Sequence, residues 1–100
     1  MAQEQGRPVC VVAGAGPGNG MAFARRFQAG GYQVVLLARD GERLQSLLAQ
    51  ETQAVHLAAR SCDLTDAAAI QTTFLDIARA FGPVNTLMQC ARVDVQVQPA

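Results

Sequence analysis

The stretch Val9-Cys10-Val11-Val12-Ala13 running into Gly14-Ala15-Gly16-Pro17-Gly18-Asn19-Gly20 constrains this chain more than any other. An unbroken apolar run rich in valine predicts a strand covered on both faces, because a strand with one wet face would alternate. The glycines that follow carry no Cβ atoms to keep a ligand's phosphates away from the backbone amides, and they allow the φ angles of a tight turn. A strand that ends in such a turn and opens a helix is a phosphate cradle.

Downstream, strand and helix signals alternate with little linker. The first strand is expected over about Pro8 to Ala13 and the first helix from Gly18 to about Ala29. That helix has Met21, Ala24 and Phe27 on one face, Phe23 beside them, and Gly30-Gly31 as its C-terminal cap. Tyr32 to Ala38 predicts a second buried strand. Asp40 is placed to cap a short helix ending near Gln50, with Leu44, Leu47 and Leu48 on its inner face. Val55 and Leu57 mark a third strand over Ala54 to Ala59, with His56 facing outward between them. Thr65 is placed to cap a long helix carrying Ile70, Phe74, Ile77 and Phe81 and ended by Gly82-Pro83, and Val84 to Met88 predicts a fourth strand.

The chain has 100 residues, half of them apolar and 16% charged, with a formal net charge of zero. That balance argues against disorder and against nucleic acid as a partner, and the Arg25-Arg26 pair reads as a solvated helix face. No apolar run approaches the roughly 20 residues of a membrane helix, and residues 1–7 lack the apolar core of a secretory signal, so no membrane association and a cytoplasmic location are expected. Cys10, Cys62 and Cys90 stand too far apart for metal-ligand spacing and read as small buried thiols, and no metal site is expected.

Strands alternating with helices over short loops predict an α/β, Rossmann-like three-layer fold with a parallel sheet in the order 3-2-1-4, truncated after strand four. The glycine turn then lies at the topological switch point. Residues 1–88 form the expected partial dinucleotide-binding domain, and residues 89–100 an atypical tail.

From Val9 to Met88 the chain resembles the short-chain dehydrogenase/reductases. Ala13-Gly14-xxx-Gly18-x-Gly20 matches their TGxxxGxG turn with Ala for Thr. Ala38-Arg39-Asp40, Cys62-Asp63-Leu64-Thr65-Asp66 and Phe81-Gly82-Pro83-Val84 are phrased as in that family. The resemblance implies that amides around Gly18 and Asn19 hold a pyrophosphate, that Gly20 lets the first helix pack on the first strand, and that Gly14 is among the cofactor-binding residues. It also implies that Asp63 and the Leu64 backbone contact adenine, and that Ala91 belongs to the motif supporting the cofactor's ribose. For Asp63 and Asp66 a plain capping role at a helix start stands beside this.

Arg39 bears on the choice of nicotinamide dinucleotide. A free ribose 2′-hydroxyl is usually read by a carboxylate at the end of the second strand, and a 2′-phosphate calls for a cation there. Ala38 occupies the carboxylate position and Arg39 follows, so NADP is expected over NAD. The alternative is that Arg39 is solvated and Asp40 takes the hydroxyl; Pro17 stands where some NADP users carry a second basic residue and lends no support.

Two departures from the family pattern matter. Gln89, Cys90, Ala91 and Arg92 stand where the family has an NNAG-type motif, keeping only Ala91. The family's hydride transfer needs a Ser, a Tyr and a Lys in YxxxK spacing, whereas this chain has one Tyr, followed four residues later by Leu36, and no Lys. No catalytic residue is therefore assigned; Ser46, Ser61, Tyr32 and His56 occupy ordinary positions. The expected function is the NADP(H)-binding portion of a short-chain dehydrogenase/reductase-like oxidoreductase. Two alternatives stay open: a noncatalytic nucleotide-sensing module, and a truncated or frame-altered product that self-associates or aggregates through an exposed sheet edge.

Overall fold

A computed structural model describes residues 7–14 and 19–89. Four strands and three helices alternate within them: β1 (Val9–Ala13), α1 (Asn19–Ala29), β2 (Gln33–Ala38), α2 (Gly41–Ala49), β3 (Leu57–Ser61), α3 (Ala67–Phe81) and β4 (Val84–Gln89). All strand pairs are parallel and the order is β3-β2-β1-β4, as the alternation predicts. Gly18, Cys90, Ala91 and Arg92, singled out in the sequence, lie outside the described residues, as does most of the expected tail.

Every residue of β1 is buried, and so are Val34 to Leu37 of β2. Successive side chains enter opposite cores. On one face Cys10, Val12, Val34 and Leu36 pack against Met21 and Ala24 of α1 and Leu44 of α2. On the other face Val9, Val11, Val35 and Leu37 pack against Ile77 of α3, with Phe74 and Phe81 at its margin. This is why neither strand alternates in sequence. Full burial of a Val or Leu side chain stabilises by about 1.5–3 kcal/mol, so these two strands carry most of the core.

Local signals set most boundaries. Helix α1 stops where Gly31 takes φ 97°, with Gly31 N–H donating to Gln28 and Tyr32 N–H to Phe27. The paired bonds satisfy carbonyls that a helix end leaves open. Tyr32 then meets Phe27 edge to face at 5.1 Å, as a residue opening a strand against the core. Asp40 caps α2 as expected.

Three expectations are corrected. The third strand runs from Leu57 to Ser61 rather than from Ala54 to Ala59, so His56 precedes it. Val55 is 82% exposed, and the Gln28 side chain holds the connection by donating to Gln53 O at 2.9 Å and accepting His56 N–H at 2.8 Å. Arg60 and Ser61 belong to the strand because they pair with Leu37 and Ala38, and the Arg60 guanidinium lies over the Phe81 ring, 5.4 Å from the centroid. Asp66, not Thr65, caps α3, accepting the amides of Ala68 and Ala69; the Thr65 hydroxyl is donated to Asp63 instead. Phe23, expected beside the inner face of α1, is 38% exposed.

In β4, Val9 faces Val84 and Cys10 faces Thr86, leaving Asn85 as a bulge. The Asn85 side chain fills the gap by accepting Val9 N–H at 2.9 Å. The strand stands at a sheet edge and is half-buried at alternate residues and exposed at the others, with Leu87 51% exposed. Among the described residues no helix is long and apolar enough to cross a membrane.

Candidate functional site

Parallel strands deliver their carboxyl ends to one rim of the sheet, and register decides which residues meet there. Ala13 pairs with Leu37, and Ala38 with Ser61. The residues immediately beyond, Gly14, Arg39 and Cys62-Asp63, therefore come together although they are distant in sequence. With Ala38, Leu64 and Thr65 they line a cleft of about 400 Å³. Its position beside β1, where the strand order reverses, is where open α/β sheets bind ligands.

Gly14 closes the floor. It takes φ 81°, a left-handed conformation costly for a residue with a Cβ, and its N–H donates to Leu37 O at 2.8 Å. Asn19 is the first residue of α1, and Gly20 after it is buried. Cys62 is buried beneath the cleft.

Charge at the mouth is paired across it. The Arg39 guanidinium, 76% exposed, stands 3.6 Å from Asp63 Oδ1. That oxygen also accepts the Thr65 hydroxyl at 2.7 Å and the Thr65 amide at 3.0 Å. The Thr65 hydrogen bonds, with a smaller contribution from Arg39, hold the Asp63 carboxyl below the usual carboxylate range, so it is an anion at neutral pH. The cleft thus offers an exposed cation, a hydrogen-bonded carboxylate and apolar walls, a set suited to a flat ring system bearing a phosphoryl group.

Asp40 stands apart from this arrangement. Its Oδ1 accepts Arg43 N–H at 3.0 Å as the cap of α2, and the residue does not line the cleft.

Ser61 and Thr65 were not singled out as site residues by sequence reasoning. Ser61 Oγ donates to Arg39 O at 2.9 Å. Thr65 carried a readable signal, because a Ser or Thr two residues after Asp is a common local hydrogen-bonded turn. Ser61 carried none, since its partner is 22 residues away.

A larger hollow of about 720 Å³ lies at the opposite rim, beside Arg25, Gln28, Glu51 and His56. Arg25, Gln28 and Glu51 of its lining are engaged in ties. Arg25 forms a two-pronged pair with Glu51 at 3.0 and 2.7 Å, and this hydrogen bonding lowers the Glu51 pKa.

Residues 8–100 match the family model for short chain dehydrogenase. The chain is 34% identical over 92 residues to Sulfoacetaldehyde reductase 2 of Chromohalobacter salexigens, covering 92% of this chain and 36% of that protein. Among solved structures it resembles an actinorhodin polyketide ketoreductase variant with NADPH, at TM-score 0.78 and 31% identity over 85% of this chain and 33% of that one. It also resembles an NAD⁺-bound xylitol dehydrogenase, at TM-score 0.72 and 32% identity over 80% of this chain and 31% of that one. The chain spans about a third of the length of the relatives it matches.

Proposed function

This chain belongs to the short-chain dehydrogenase family, and we propose that the cleft between Arg39 and Asp63 holds the adenosine end of a nicotinamide dinucleotide carrying a 2′-phosphate. The region spanned is the N-terminal, cofactor-binding part of the family's oxidoreductases. Relatives of this fold bind either form of the cofactor, one neighbour holding NADPH and another NAD⁺. The choice therefore turns on the residues of this cleft.

The observation that carries the reading is the division of labour between two adjacent residues. A carboxylate suited to a ribose 2′-hydroxyl is present at Asp40, but it is engaged with Arg43 N–H and stands outside the cleft. Arg39 lines the cleft and is exposed, and among the described residues its guanidinium has one long contact, to Asp63. A guanidinium so placed can exchange that contact for a phosphoryl group, which offers more acceptor oxygens and more charge.

In this reading amides around Gly18 and Asn19 hold the pyrophosphate, Gly20 lets the first helix pack on the first strand, Gly14 lines the cleft, Asp63 and the Leu64 backbone receive adenine, Arg39 meets the 2′-phosphate, and Ala91 supports the ribose. When bound, the nicotinamide supplies or accepts the hydride of an oxidoreduction, and this chain's part is to bind and orient the cofactor. The parent activity is a hydride transfer from NADPH to a carbonyl substrate or, in reverse, from an alcohol to NADP⁺.

The test is a fluorescence titration of the purified chain with NADPH and NADH. Saturable binding with tighter affinity for NADPH supports the reading; equal affinities, or tighter NADH, refute the cofactor choice.

Exposed Leu87 on edge strand β4 favours a second reading alongside the first, self-association through that edge. Sedimentation velocity over a concentration series would show a growing species if it holds, and one invariant species if it does not.

A further inference from the structure

We propose that Ser61 is the positioning residue that makes Arg39 selective for a 2′-phosphate, although Ser61 itself need touch no part of the cofactor. The inference rests on the assignment of Arg39 to that phosphate and adds to it the device that aims the side chain.

The parallel ladder between β2 and β3 ends at Ala38 and Ser61. One further backbone bond, Cys62 N–H to Ala38 O at 2.9 Å, continues it. Beyond that bond Arg39 has left the sheet, and Asp40 has entered an extended conformation to cap α2. The Ser61 hydroxyl bridges this gap, donating to Arg39 O at 2.9 Å. It ties the backbone of the cation to the end of the strand that continues directly into Cys62 and Asp63.

Gly41 supplies a second and independent sign that this junction is built closely. A Cβ at Gly41 would stand 2.9 Å from Ser61 Cβ, too close without a backbone shift. The turn Arg39-Asp40-Gly41 is thus pressed onto Ser61 from one side and hydrogen-bonded to it from the other. On the far side of the same strand end, Asp63 is held by Thr65 and stands 3.6 Å from the guanidinium. The backbone of Arg39 and the carboxylate that its side chain meets are both fixed by the segment Ser61–Thr65.

An arginine side chain has a long flexible stem, so its guanidinium is aimed only as well as its Cα is held. Loss of the Ser61 tie lets the turn drift, which dilutes the poses that reach a 2′-phosphate. Contacts shared by both dinucleotides, at adenine and pyrophosphate, do not depend on that turn. The consequence is a loss of selectivity rather than a general loss of binding.

The experiment is a double-mutant cycle on the full chain: the unaltered protein, Ser61→Ala, Arg39→Ala and the double variant, each titrated with NADPH and NADH. Ser61→Ala is expected to lower the NADPH preference about three- to tenfold while NADH affinity stays within twofold, and to change nothing further in the Arg39→Ala background. Equal weakening of both cofactors by Ser61→Ala marks a merely structural role and overturns the inference. So does an unchanged preference in Ser61→Ala when Arg39→Ala lowers it, which leaves the phosphate assignment standing. An unchanged preference in Arg39→Ala, or no binding of either cofactor by the unaltered chain, overturns the phosphate assignment and this inference with it. Should Ser61→Ala lose its native circular dichroism, Gly41→Ala decides: it forces the turn off Ser61 and is expected to lower the preference in the same way, and no change there refutes the inference.

Discussion

Asp40 Oδ1 accepts the Arg43 amide at 3.0 Å, which turns this carboxylate toward its own helix and away from the cleft that Arg39 and Asp63 line. Asn caps helices about as well as Asp, so Asp40→Asn keeps α2 in place while removing the charge. NADH affinity in this variant is expected to stay within about twofold of the unaltered chain, as fits a carboxylate that holds no ribose hydroxyl. Arg39→Ala is expected to weaken NADPH about tenfold, a moderate figure for a charge-assisted contact at an exposed site, and NADH far less. A large loss of NADH binding in Asp40→Asn would reverse the cofactor assignment.

Asn85 repairs the bulge of β4, and its loss should be felt in stability. Val9 is buried, and its N–H has the Asn85 carbonyl as its partner at 2.9 Å. Asn85→Ala strands that donor at a cost of about 1–3 kcal/mol. Asn85→Asp keeps an acceptor and is expected to lose less. Urea unfolding followed by circular dichroism gives the comparison, with the midpoint falling and the slope unchanged for Asn85→Ala.

How far the sequence spoke depended on the range of each interaction. The buried strands β1 and β2, the order of the sheet and the Asp40 cap were legible because apolar runs and capping residues act within a few positions. The third strand was misplaced because its start is set by Gln28, a side chain from a helix some 25 residues earlier, gripping Gln53 and His56. The α3 cap lies one residue later than expected because Asp is a better cap than Thr, and the Thr65 hydroxyl is donated to Asp63 instead. Gly14, Arg39 and Asp63 share one cleft because the strand register brings them to the same rim, and for Asp63 only the family resemblance, not a local pattern, pointed to a ligand. The ties from Ser61 and the packing against Gly41 are long-range and left no local mark.

Packing at the two ends of the sheet's burial range gives a contrast in core energetics. Leu36 is wholly buried between helices, and Leu36→Ala is expected to cost about 2–5 kcal/mol by lost transfer energy and the cavity left behind. Leu87 is 51% exposed on the edge strand, and Leu87→Ala is expected to change stability by less than about 1 kcal/mol. Denaturant midpoints for the two variants check both figures. Comparable losses would mean that the outer face of β4 is covered in solution.

Acid is expected to act on this fold at two separate places. Asp63 is lowered chiefly by the Thr65 hydrogen bonds and Glu51 chiefly by the one from Arg25. A carboxylate whose folded pKa lies below its unfolded value contributes stability that is fully present above the unfolded value, about 4 for these groups, and is lost as pH falls through the folded one. The melting temperature should therefore be flat with respect to these two groups between about pH 6 and 8 and fall below about pH 4. Thr65→Val removes the hydroxyl, the largest influence on Asp63, but keeps the backbone amide. Carboxyl carbon NMR titration should then show Asp63 below the ordinary aspartate range in the unaltered chain and closer to it in Thr65→Val, with Glu51 unmoved at the far rim. An Asp63 that titrates normally in both proteins would break the link between Thr65 and the charge facing Arg39.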